Sequence, residues 1–102
     1  MINLQLSIQP ETEKRLKKIL NSVENQENFA QGIIDYQITE LEKSILSLKL
    51  DLAKFEEQYQ MTSAEFYQQF CQDKLGDEVD FIVWSGLYEI WRQNETYLHE
   101  LK

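Results

Sequence analysis

The chain has 102 residues, with ten Lys and Arg against eighteen Asp and Glu, a net charge of −8, 42% apolar residues, three Gly and one Pro. That length suits one compact domain or module, the apolar content is too high for a disordered chain, and the acidic balance excludes broad electrostatic binding to nucleic acid. The single cysteine, Cys71, excludes an internal disulfide and fits a reducing, cytoplasmic compartment, while no apolar run approaches a membrane span and the start lacks a signal-peptide pattern.

Residues 2–9 alternate strictly. Ile2, Leu4, Leu6 and Ile8 fall on one side, and Asn3, Gln5, Ser7 and Gln9 on the other, which predicts a short half-buried strand. No second strand follows, so its open edges predict pairing with its own copy in a homodimer. Pro10 suits the first turn of a helix running to about Val23, with Glu11 and Glu13 at the positive end of its dipole. Leu16, Ile19, Leu20 and Val23 form its apolar stripe, and Lys14, Arg15, Lys17 and Lys18 the one basic cluster.

A polar break over 22–28 offers Asn25 or Asn28 as the cap of a second helix that begins near Phe29. From Ile38 through Leu41, Ile45, Leu48, Leu52, Phe55 and Tyr59 the apolar positions alternate three and four apart, the seam of a coiled coil or bundle. That seam needs either its twin or the C-terminal segment as cover. Gln60 and Met61 end the run, and Thr62-Ser63-Ala64-Glu65 is a capping-box pattern that opens a third helix with Phe66, Tyr67 and Phe70. Lys74-Leu75-Gly76 is expected to close it, with Gly76 left-handed, and Asp77 to cap a fourth helix from Glu78 to Leu101 striped by Phe81, Trp84, Leu87, Tyr88, Trp91 and Leu98.

The opening stretch from Asn3 to Leu20, followed by Asn28-Phe29-Ala30-Gln31-Gly32-Ile33-Ile34-Asp35-Tyr36-Gln37-Ile38, resembles the ribbon-helix-helix repressors of the Arc and MetJ group over residues 2–44. The resemblance implies a mainly α protein in which the N-terminal strand pairs between two chains as a ribbon. It also implies contact with operator DNA: Asn3, Gln5 and Ser7 at base edges, the start of the second helix with Asn25 and Asn28 at phosphates, and Lys14 of the first helix as a further DNA-binding residue. Leu4, Leu6 and Ile8 would then form the dimer core. The alternative is a strand that only dimerises, with its polar side chains in water.

The C-terminal half, from Lys54 to Trp91, is similar to the tails of small bacterial type II antitoxins, where a coiled helix leads to an aromatic-rich end. That likeness implies residues 1–44 as dimerisation and DNA-binding region, 45–60 as continuation of the long helix, and 61–102 as a region that binds and neutralises a basic toxin. Residues 44–102 hold five basic and eleven acidic side chains, which suits such a partner. Phe66, Phe70, Phe81, Trp84, Tyr88 and Trp91 are the expected anchors, Trp84 and Trp91 above all. The same aromatics read equally as core, folded back on the long helix.

An antitoxin that also regulates transcription is therefore the expected function; a dimeric structural or adaptor module without DNA, and a plain transcriptional repressor, are the alternatives. No enzyme is expected, and no cofactor, metal or small-molecule substrate. His99 is the sole histidine, beside an end; no Ser or Cys has a base partner at a recognisable spacing; Asp77, Glu78 and Asp80 fit a helix start better than a cation; and Cys71 reads as a small buried hydrophobe.

Overall fold

A computed structural model describes residues 4–102 and contains four helices: α1 (Pro10–Ser22), α2 (Gln26–Tyr59), α3 (Ser63–Cys71) and α4 (Val79–Leu101). They fall into two compact units, one ending at Ile33 and the other running from Ile34 to Lys102.

The predicted strand does not form over its described residues. Leu4–Gln9 form no regular element, and no strand occurs among the described residues, so the intermolecular ribbon of the expected fold is overturned; Ile2 and Asn3 lie outside the described residues. Alternation fixes which side chains share a face but supplies no hydrogen-bonding partner, and four helices leave no sheet edge on which this segment could add. Leu4 and Leu6 are accordingly 79% and 61% exposed.

In the N-terminal unit, Pro10 opens α1 as its sequence position requires, and the Glu13 amide bonds the Gln9 carbonyl at 3.0 Å. Asn25 caps α2 by accepting the Asn28 amide on Oδ1 at 3.1 Å. The amphipathic stripe of α1 is only partly covered: Leu16 and Val23 are half-buried, while Ile19 and Leu20 are exposed, as is Ile33 on α2. No residue from Leu4 to Ile33 is buried.

The C-terminal unit has a closed core. The α2 seam turns inward, with Leu41, Ile45 and Leu52 buried and Ile38, Leu48, Phe55 and Tyr59 half-buried. Its cover is α4, running antiparallel: Tyr59 meets Phe81 and Trp84, Lys49 pairs with Glu95 at 4.0 Å, and Glu42 with Lys102 at 3.5 Å. Both ion pairs are exposed and contribute little. Burial of the aliphatic seam, on the order of 1.5–3 kcal/mol for each enclosed side chain, carries the hairpin.

Two connections use left-handed residues other than glycine. Gln60, at φ 55°, ends α2, and Asp73, at φ 58°, ends α3. The α3 terminus is a Schellman arrangement, in which the Asp73 amide bonds Phe70 O and the Lys74 amide bonds Gln69 O, both near 3.1–3.2 Å. Gly76 does not take the left-handed position expected of it, because these bonds close the helix three residues earlier. Asp77 likewise does not cap α4: Glu78 stands at the N-cap with no side-chain bond.

Candidate interaction surface

Thr62 caps α3 as the Thr62–Glu65 pattern predicts, its Oγ1 accepting the Glu65 amide at 3.1 Å. That cap sets the position of Phe66, which lies fully buried against Trp84 with ring centroids 3.8 Å apart and planes 5° from parallel. Phe55 and Tyr59 of α2 stack on Trp84 as well, at 5.5 and 5.7 Å, so the indole is enclosed by rings from two other helices. Its Nε1 donates to Ser63 Oγ at 2.8 Å, and the Ser63 amide donates to Glu56 Oε2 at 2.8 Å. Buried Trp84 and Ser63 thus satisfy each other, while Glu56 ties the start of α3 to α2.

The expected partner anchors divide accordingly. Phe66 and Trp84 have no exposed surface and are core side chains in this unit; Phe70, Phe81, Tyr88 and Trp91 are half-buried against that core. Trp91 differs from Trp84 in that its buried Nε1 finds no acceptor. It lines a groove of about 380 Å³ with Leu52, Lys49 and Ala64. Among the expected DNA contacts, Gln5, Ser7, Lys14, Asn25 and Asn28 are all exposed, and Asn3 lies outside the described residues. Leu4–Gln9 form no strand, so Gln5 and Ser7 do not stand on one face of a ribbon. Cys71 is exposed, not buried as its sequence context suggested, since α3 ends there and turns its last residue to solvent.

Two tyrosines fasten α4. Tyr59 Oη donates to Asp80 Oδ2 at 2.6 Å, and Tyr67 Oη to Glu89 Oε1 at 2.7 Å. The bond to Asp80, with desolvation and the nearby negative charges of Asp80 and Glu78 behind it, pushes the Tyr59 hydroxyl up to about 12. Tyr67 is also pushed up to about 12, first by its bond to Glu89 and then by one with Cys71. A tyrosine whose folded pKa lies above its ordinary 10.0 stabilises the fold fully below pH 10, and that contribution fades as pH rises towards 12. In urea unfolding, wild type should therefore be more stable than Tyr59→Phe at pH 8, and the gap should close by about pH 12. A gap that is constant with pH would deny the hydrogen bond its role.

The acid side chains are concentrated where the three C-terminal helices connect. Residues 55–80 hold seven carboxylates and one lysine. Beyond that stretch α4 carries a second apolar face, unread from the sequence: Val79, Ile82, Val83, Ile90 and Tyr97 are all exposed. Its spacing of four, three and four through Val79, Val83, Gly86 and Ile90 is as regular as that of the inner stripe, whose larger aromatic side chains dominate the pattern. Among the described residues no three His, Cys, Asp or Glu side chains gather as metal ligands, and no helix is long and apolar enough to cross a membrane.

No family model matches the chain, and no curated protein or solved structure was found similar to it. The resemblances to ribbon-helix-helix repressors and to antitoxin tails are withdrawn on that finding and on the missing strand.

Proposed function

We propose that the chain is a non-catalytic, homodimeric protein-binding module, in which the apolar face of α1 joins two copies and the acidic connection end of the C-terminal unit takes a basic partner protein. The observation that carries this reading is the division of burial. All five buried hydrophobic residues belong to the C-terminal unit, whereas an amphipathic α1 sits in a unit with no buried residue among those described. Such a face gains stability when something apolar covers it. A second copy fits, because residues 4–33 carry four acidic and four basic side chains and two copies meet there without net repulsion.

For the partner, charge supports the reading: a net −8, with seven carboxylates against one lysine over residues 55–80, attracts a basic surface and repels an acidic one. A toxin neutralised by stoichiometric binding is one partner of this chemistry, and its neutralisation asks no catalytic group of this chain. The test is titration of the purified chain with the product of any neighbouring reading frame that encodes a basic protein. Glu57→Gln, Asp77→Asn and Glu78→Gln combined should weaken that binding about tenfold or more at low salt and flatten its salt dependence. These three side chains are exposed and make no side-chain hydrogen bond within the fold, so helix content should not change. Equal affinity of the triple variant and wild type would sink the acidic end as the docking site.

A further inference from the structure

We propose that the outer face of α4 is a second, separate contact surface whose occupant is α4 of another copy of this chain, packed antiparallel about a two-fold axis that crosses this face level with residue 88, between Gly86 and Ile90. The stripe is nearly free of charge for a structural reason. Every charged side chain of α4 from residue 80 to 95 is engaged elsewhere: Asp80 by Tyr59, Glu89 by Tyr67, Glu95 by Lys49, and Arg92 over the rings of Tyr67 and Tyr88 at 6.0 and 5.7 Å. What remains outward is Val79, Ile82, Val83, Ile90 and Tyr97, from 44% to 75% exposed. A charged partner gains nothing on such a face, while an uncharged stripe of the same kind does.

The stripe is also complementary to itself. Read antiparallel about Tyr88, Gly86 falls opposite Ile90, Val83 opposite Gln93, and Val79 opposite Tyr97. Each close pair sets a small residue against a larger one. A Cβ placed on Gly86 meets nothing within 4 Å in its own chain, so the glycine is a dent open to the outside, and it is Ile90 of the mate that the register puts there. An isologous pair of this kind needs no second type of surface and closes on itself.

Size sets the strength. From Val79 to Tyr97 the helix is about 28 Å long. Its five apolar side chains leave on the order of 400 Å² open, so two copies bury about 800 Å² before any flanking contribution, which is the range of weak, reversible interfaces. The pairing brings together two chains of charge −8. Its repulsion acts through solvent and is screened over a Debye length of about 10 Å at 0.1 M salt, so association should strengthen as salt rises. Docking of a basic partner would show the opposite slope.

This contact is independent of the one proposed for α1, and the experiment separates them. Sedimentation equilibrium of the full chain is run in an Ile19→Asp background, which removes the α1 contact, at about 50 and 500 mM NaCl. The expected result is a monomer–dimer equilibrium in the tens-of-micromolar range or weaker that tightens with salt. Adding Ile90→Asp should weaken it at least tenfold. Adding Gly86→Gln should weaken it too while raising thermal stability, because Gln is the better helix former and no neighbour in the chain obstructs it. Equal masses for the Ile19→Asp protein with and without Ile90→Asp, at both salt concentrations, would overturn the proposal. So would association that weakens with salt.

Discussion

Trp84→Ala should unfold the C-terminal unit or bring it close to unfolding. The side chain is completely buried, stacks on three rings from α2 and α3, and donates to the buried Ser63 hydroxyl. Truncation leaves a large cavity between helices that cannot collapse onto it, a loss of about 3–5 kcal/mol for Trp to Ala, against a total of roughly 5–15 kcal/mol for a protein of ordinary stability. Trp84→Phe keeps most of the ring contact and removes the donor, so its cost should be nearer 1–3 kcal/mol, the penalty of an unpartnered buried hydroxyl plus a smaller void. Trp91→Phe is the internal control: its Nε1 has no partner to lose, so the change should be the smallest of the three. Urea unfolding followed by circular dichroism ranks them, and a Trp84→Ala protein as stable as Trp91→Phe would show that the aromatic cluster does not hold the unit together.

Ile19→Asp should have the other large effect, and on a different observable. Ile19 lies in the stripe of α1 and is 48% exposed in the single chain. If a second copy covers that stripe, a carboxylate there is desolvated without a partner, at several kcal/mol, and the dimer should weaken about a hundredfold or more. At micromolar concentration the mass should then halve, with loss of helical signal from α1, which is 13 of 102 residues. The C-terminal unit should keep its unfolding midpoint. Unchanged mass would return α1 to the role of a solvated surface helix.

What was legible in the sequence followed from patterns that carry their own partner. The seam from Ile38 to Tyr59 turns inward along its full length, and the aromatic stripe of α4 supplies the cover, one of the two covers the pattern allowed. Thr62 and Asn25 cap as their side-chain chemistry dictates. Patterns that need something outside the segment misled. The alternation from Ile2 to Ile8 says which side chains share a face and nothing of what pairs with the backbone, and Leu4–Gln9 form no strand. Gly76 looked like the end of α3, but Asp73 adopts the left-handed conformation at some cost and two amide bonds to Gln69 and Phe70 offset it. Trp84 and Trp91 looked equivalent at seven residues apart. Only the packing shows that one is enclosed with its donor satisfied and the other borders a groove.

Two of the six anchors expected to meet a partner, Phe66 and Trp84, are therefore spent on the fold. Neither has surface to offer, and in the proposed function a basic partner meets the carboxylates of the connections instead. The proposed function is thus separated along the chain. In that reading the aromatic unit is preformed and holds the acidic contact surface in place, and the N-terminal unit, which has no buried residue among those described, is completed by a second chain.

Amide hydrogen exchange at two protein concentrations tests that separation most directly. Exchange from a closed core is governed by the stability of the single chain and does not depend on concentration, whereas exchange from a unit completed by a second copy slows as the dimer fills. The account predicts strong, concentration-independent protection in α3 and along the buried seam of α2 from Leu41 to Leu52, with protection in α1 that rises steeply with concentration. Amides of α1 protected to the same degree at the lowest concentration as at the highest would contradict it.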